Sequence, residues 1–507
     1  MTTWTRRAVL GAGALGALSA CSSGGGPAPA PTPTTAPTPS PTASATATTT
    51  PSGKVPWAQL ERSVQGALAR PQDPTYDQVR LLQNPRYDGQ RPLAVLSVAD
   101  ADDVATALRF AQDHDVPVAI RSGGHSYPGW SGGGSPRALV IDCRPLSDVR
   151  LDGTTATIGA GATLAPVYDT IGGAGRAIAG GSCATVGVGG LTLGGGVGVL
   201  TRALGLTCDA VRAMTVVTAD GTVRTASADE EPDLYWALRG GGGGHVGVVT
   251  SFDFATVAAP TISTVYLEWP FSAAADVIAA WQGWAPSADH RLWSTLKALG
   301  GQAHPGEPTV LLSGTWTGPI AAFDGQLAGL LDHAPAPSVR STHTRSYRDQ
   351  MAAFAGSGAR ESFGATSHVA YDALDAAGIH DLLDQVQAAQ ASGQSSGLKE
   401  AGISMDALGG KVRDLAPDDT AFVHRDALAT VQYTATFPPG SGKRADAYVR
   451  GFRAAMVPHW GEHAYVNYAD PTITDYQAAY FGANADRLAQ ARATYDPDGF
   501  FTQPQDF

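Results

Sequence analysis

The sequence predicts an α+β fold in which two sheet-bearing domains follow a long non-globular N-terminus, and three observations carry that reading. Up to about residue 257, amphipathic helical stretches alternate with short β-branched runs separated by glycine-rich turns. Beyond residue 261 glycine thins, and longer strand-like stretches alternate with alanine-rich helices. The last seventy residues return to aromatic, loop-rich sequence, as expected of a segment that folds back on the first domain.

Taken in order, residues 1–20 read as a targeting segment. Arg6-Arg7 precedes a mostly apolar run from Ala8 to Ala20, too short to span a bilayer. The twin arginine predicts export in the folded state. Leu18-Ser19-Ala20-Cys21 resembles the lipobox of bacterial lipoproteins, which predicts a lipidated Cys21 and a protein tethered to the extracytoplasmic face of the membrane. The alternative is an ordinary signal peptide and a secreted product. Residues 21–52 form a predicted stalk: Pro27 to Pro51 holds eight prolines and nine threonines, too little apolar area to offset the entropy of ordering.

The first domain is expected over 53–257. Its helices are predicted at Trp57–Ala69 and Ala101–His114, and its strands at Ala94–Val98, Val118–Arg121, Leu139–Ile141, Ala156–Gly159 and Met214–Thr218. The second domain, 258–440, is expected to be a sheet covered by helices. Its strands include Thr264–Trp269, Thr309–Trp316 and Ala427–Thr436, and Ala273–Trp284 is one of its helices. Residues 441–507 make the returning segment.

Charge and cysteine content exclude whole classes of function. With 34 basic against 46 acidic groups, net −12, and no basic run, the chain lacks the clustered cations that nucleic acid requires. Four cysteines are too few for a disulfide scaffold. Cys143 and Cys208 read as small buried residues, with a disulfide between them as the alternative.

Three motif matches fail on context. Gly242 to Gly247 spells G-x-G-x-x-G, but a predicted helix (Pro232–Arg239) precedes it and a predicted strand (Val246–Phe254) follows, the reverse of a dinucleotide fingerprint. Gly129-Trp130-Ser131-Gly132-Gly133 spells G-x-S-x-G, but leads into a strand where a nucleophile elbow leads into a helix. His459 to His463 spells H-x-x-E-H, but Gly461 weakens the helix that would align both histidines, so no metal site is expected.

Glycine distribution points elsewhere: 29 of 61 glycines fall between Arg121 and Thr250. Arg121-Ser122-Gly123-Gly124-His125-Ser126-Tyr127 follows a strand directly, and its adjacent glycines let backbone N–H groups converge on an anion such as a pyrophosphate. Between Gly180 and Gly198 one cysteine, Cys183, stands among nine glycines. Such density suits backbone packed against a flat or phosphate-bearing group.

Together these segments resemble the berberine bridge enzyme-like branch of the FAD-linked oxidases, of the vanillyl-alcohol-oxidase or PCMH type. Further matching stretches are Leu204 to Asp209, Asp233 to Arg239, Val423-His424-Arg425, Tyr465 to Asp470 and Tyr495 to Phe501, so the likeness runs from about Tyr76 to Phe507. The resemblance implies a PCMH-type FAD-binding domain of two α/β subdomains, a substrate domain with an antiparallel sheet, and a C-terminal segment that completes the FAD domain. It implies FAD bound through two covalent links, His125 to the flavin 8α carbon and Cys183 to ring carbon C6. Arg121, Ser122, Gly123, Gly124, Ser126, Thr185, Gly187, Gly190, Val249, Tyr465 and Asn467 are the other expected cofactor contacts. Tyr468 takes the position of a catalytic base, which requires its phenol to be pulled from about 10 toward neutrality. Gln432, sharing a strand face with Thr430, is the candidate for orienting substrate. Departures occur at Val197, where many relatives have an aromatic ring, and at His245-Val246, which replace the commoner Asn-Phe. The first puts any inherited substrate preference in doubt.

The expectation is a flavoenzyme that oxidises an alcohol, sugar or similar small hydroxylated molecule by hydride transfer, with O2 as acceptor and H2O2 as product. A dehydrogenase passing electrons to a quinone or protein is the near alternative. A lipid-anchored binding module without turnover is the distant one, and His125, Cys183 and Tyr468 speak against it.

Overall fold

A computed structural model describes residues 55–134 and 137–507. The targeting segment, Cys21 and the stalk lie outside the described residues. The chain folds around three main sheets. The first has the order Ala67–Ala69, Ala94–Ser97, Leu139–Asp142, Val118–Arg121. Leu139–Asp142 pairs in parallel with both of its neighbours. Helix Ala101–Asp113 makes the crossover. Asp100 caps it, its carboxylate accepting from Asp103 N at 2.9 Å. Val104, Ala107, Leu108 and Ala111, spaced three and four apart, bury its inner face.

The helix expected over Trp57–Ala69 stops at Ser63, and Ala67–Ala69 is an edge strand paired antiparallel with Val95–Ser97. Gly66 explains the break, because its backbone lies so close to the Ser97 carbonyl that a side chain there would collide with it. The second sheet runs Val149–Asp152, Thr155–Gly159, Val248–Ala255, Val211–Val217, Val223–Ser227, with every neighbour antiparallel.

The third sheet is antiparallel and seven-stranded, in the order Val339–Ser346, Thr261–Pro270, Thr309–Trp316, Leu292–Gly300, Glu400–Ala407, Ala429–Thr436, Phe363–Ala370. Its side chains alternate between faces. Leu296, Ile403, Met405, Val431 and Tyr433 pack under helices that include Ala274–Trp284, Ala376–Ser396 and Gly442–Trp460. The opposite face, carrying Thr295, Asp406, Thr430 and Gln432, is polar and turns toward the first two sheets.

Two buried arginines tie the parts together. Arg202 donates to the carbonyls of Leu292 and Ala288, both at 2.7 Å, and of Leu408. Arg425 grips Asp209 with two bonds of 2.8 Å, so that two of the motif stretches bond directly to each other. From Ala464 onward the chain crosses back to the first two sheets, and Phe501 is buried in the core of the first.

Cys143 and Cys208 are free thiols and, like Cys183, are buried. No disulfide joins Cys143 to Cys208; burial instead pushes the Cys143 thiol up to about 12 and holds the Cys208 thiol well above its usual range. Among the described residues no helix is long and apolar enough to cross a membrane, and no group of side chains could hold a metal. His459 sits in the last turn of the helix Gly442–Trp460 and bonds Asp381 at 2.9 Å.

Candidate active site

The glycine segments meet around one cavity of about 350 Å³. Gly123 and Gly187 show why only glycine serves there. A Cβ on Gly123 would come within 2.3 Å of the Gly187 nitrogen, and one on Gly187 within 2.1 Å of the Gly123 nitrogen, so the His125 turn and the Cys183 loop touch through bare backbone. The third segment docks on the second, with Gly240 N and Gly242 N both donating to the Leu193 carbonyl at 3.0 and 2.9 Å. In Gly242-Gly243-Gly244-His245-Val246-Gly247 the helix Pro232–Ala237 comes before and the strand Val248–Ala255 after, confirming that this is no dinucleotide fingerprint.

Ser122, Gly123, Gly124, His125, Ser126, Cys183, Gly187, Gly190, Val249 and Asn467 all line the cavity. The Ser122 hydroxyl is committed to the Ala160 carbonyl at 2.5 Å. Three expected contacts do not line it. Arg121 is fully buried beneath the turn, its guanidinium held by Asp142 at 2.8 Å and by the carbonyls of Val79 and Arg80. It supports the turn and does not line the cavity, because a desolvated guanidinium needs its own counter-charge. Thr185 stands behind His125 and Cys183, and Tyr465 behind the glycine run. The Tyr465 hydroxyl accepts from Gly196 N and from Asn467 Nδ2, each at 2.9 Å, and Asn467 Nδ2 also donates to the Leu191 carbonyl at 2.9 Å. Burial pushes the Tyr465 phenol up to about 12. These two residues brace the loop that carries Cys183.

Tyr468 faces the cavity and stacks on Tyr127, with ring centroids 5.3 Å apart and planes within 4°. Gln432, also in the lining, donates its amide N–H to the Tyr127 hydroxyl. The surroundings of Tyr468 run against the expected lowering of its pKa. Burial first, then the nearby Tyr127 and Asp406, hold its phenol well above the ordinary value. No cation offsets them among the described residues.

Asp406 is the group that sequence reasoning missed. It lines the cavity, opposite Thr295 and Thr430 in register. Burial lifts its pKa above the usual carboxylate value, while Thr295, Lys297 and Ser404 oppose the shift. Nothing local in Ser404-Met405-Asp406 marks the residue, since only the pairing of three strands brings it to the cavity. Tyr127 was missed although it follows His125 by two residues, and that proximity was a usable signal.

A bare backbone cradle opening onto His125 and Cys183 suits a large, flat, phosphate-bearing cofactor such as FAD. When bound, FAD accepts two electrons from a substrate and passes them to an acceptor. The donor set on the far side, a phenol pair, an amide and a carboxyl, suits a hydroxylated substrate.

Comparison with known proteins agrees. Residues 92–227 match a family described as FAD binding domain, and residues 464–506 one described as berberine and berberine like. An FAD-linked oxidoreductase of uncharacterised role, YgaK from Bacillus subtilis (strain 168), is 31% identical over 446 residues, covering 86% of this chain and 95% of that protein. Chitooligosaccharide oxidase from Gibberella zeae is 29% identical, over 88% of this chain and 92% of that one. The solved glucooligosaccharide oxidase of Acremonium strictum, described as carrying 6-S-cysteinyl, 8α-N1-histidyl FAD, superposes with a TM-score of 0.78 at 26% identity, covering 90% of this chain and 100% of its own. The cavity's architecture and these matches together make the protein an FAD-dependent oxidoreductase, and the chain belongs to the berberine bridge enzyme-like family of FAD-linked oxidases.

Proposed function

We propose that the protein oxidises a carbohydrate or comparable hydroxylated small molecule, with FAD tethered through both His125 and Cys183 and with O2 as electron acceptor. The observation that carries this reading is the convergence of Tyr468, Tyr127, Gln432 and Asp406 on the same cavity as His125 and Cys183. The oligosaccharide oxidases among the relatives support the substrate class. Gln432 and Tyr127 orient the substrate hydroxyl, and Tyr468 takes its proton as hydride leaves the carbon. With the phenol held high, Tyr468 can take that proton only as its own passes on, and the nearby Asp406 carboxylate is a group in the cavity that can receive it.

Anaerobic mixing with a panel of mono- and oligosaccharides and simple alcohols, read as flavin bleaching, identifies the substrate independently of the acceptor. Bleaching by a sugar is the expected result; a panel that leaves the flavin oxidised throughout counts against the substrate class. Measuring H2O2 beside the reduction of an artificial quinone then separates oxidase from dehydrogenase. Complete release of flavin on acid denaturation would rule out the covalent tether. We further propose export in the folded state and a lipid anchor at Cys21, a reading supported by residues 1–21 alone. Membrane fractionation checks it: the wild-type protein sediments with membranes, and C21S does not.

A further inference from the structure

We infer that Thr185 prepares both tethering side chains for bond formation, fixing the tautomer of His125 and supporting the thiolate of Cys183. The inference rests on the bicovalent reading above. His125 and Cys183 come from different segments, yet both reach one hydroxyl. Thr185 Oγ1 lies 2.9 Å from His125 Nε2 and 3.7 Å from Cys183 Sγ. A threonine hydroxyl has one hydrogen to donate and lone pairs to accept with, so it serves both neighbours at once.

The two requirements fit together. Burial keeps the His125 ring neutral by pushing its pKa below the ordinary value. One ring nitrogen therefore carries hydrogen and the other a lone pair. In the proposed arrangement that hydrogen sits on Nε2, the ring nitrogen that faces the Thr185 hydroxyl. With Nε2–H donating to Thr185, the lone pair sits on Nδ1 and is free to bond carbon. The hydroxyl hydrogen then points to Cys183 Sγ and favours the thiolate, the nucleophilic form.

The overall chemistry balances. At each link one hydrogen leaves the flavin carbon and one leaves the protein atom, the imidazole N–H or the thiol S–H, both as protons. A C–N bond forms at the 8α carbon and a C–S bond at C6. The two electrons released per link reduce the flavin and pass on to dioxygen, which becomes H2O2. Thr185 is neither consumed nor oxidised, so its role is that of a positioning residue.

The test follows link formation after FAD is added to full-length apoprotein, in wild type, T185S, T185V and T185A. Linked flavin is read by fluorescence in a denaturing gel, and each site by peptide mass. Wild type and T185S should form both links at similar rates. T185V and T185A should bind FAD that denaturation releases, with both links slowed by roughly tenfold or more. Wild-type rates in T185V or T185A would overturn the inference. So would a T185S slowed tenfold or more relative to wild type, which would assign the effect to shape and not to the hydroxyl; this arm needs only T185S and wild type, so it holds even where T185V does not fold. A wild type that forms no link at all instead removes the bicovalent reading itself, so the two failures are distinguishable.

Discussion

In the proposed reaction Tyr468 and Asp406 share the removal of the substrate proton. A phenol held above its ordinary pKa is almost wholly protonated and cannot act as a base by itself, whereas a buried carboxylate nearby can receive its proton. Y468F should keep its flavin but reduce it about 100-fold more slowly or worse, within the usual range for losing a general base, as stopped-flow bleaching would record. D406N should change the pH profile. A base must be deprotonated, so the wild-type rate should fall as pH drops through a value above the normal carboxylate range, and that acidic limb should vanish in D406N. His125, Cys183 and Tyr468 were legible in the sequence because each sits in a contiguous motif. Asp406 was not, since its place depends on how Leu292–Gly300, Glu400–Ala407 and Ala429–Thr436 align. Arg121 shows the converse: it belongs to the motif, yet its side chain, at the end of a core strand, lies beneath the cavity with a buried carboxylate to satisfy first.

Between elements, the contact of the His125 turn with the Cys183 loop is the most exacting feature. Their backbones approach so closely that even a methyl group at Gly187 displaces one of them. G187A should fold, because the three sheets do not depend on this contact, but should hold far less FAD than wild type, as the ratio of flavin to protein absorbance would show. Most of the strands named from the sequence lie within a residue or two of those observed, because β-branched runs bounded by glycine have few other readings. The helix expected through Ala69 was overextended, since the short stretch Ala67–Ala69 is stabilised only by pairing with Val95–Ser97, far along the chain.

Across the molecule, Arg202 acts as a pin between the FAD-binding part and the seven-stranded sheet. Its guanidinium satisfies three carbonyls without a carboxylate partner, and burial pulls its pKa down to about 10. R202M should leave those carbonyls unpaired at roughly 1–3 kcal/mol each, lowering Tm and exposing the junction to proteolysis. No sequence pattern announced this residue, because carbonyl acceptors carry no side-chain signature.

The return of the chain after Ala464 has a further consequence, for the order of events during synthesis. Tyr465, Asn467 and Tyr468 leave the ribosome after every strand described here, and Asn467 and Tyr465 brace the loop bearing Cys183. The nascent protein can build its sheets early, yet it cannot close the cavity until its final stretch has emerged. A chain cut short before Ala464 therefore lacks the side chains that brace the Cys183 loop.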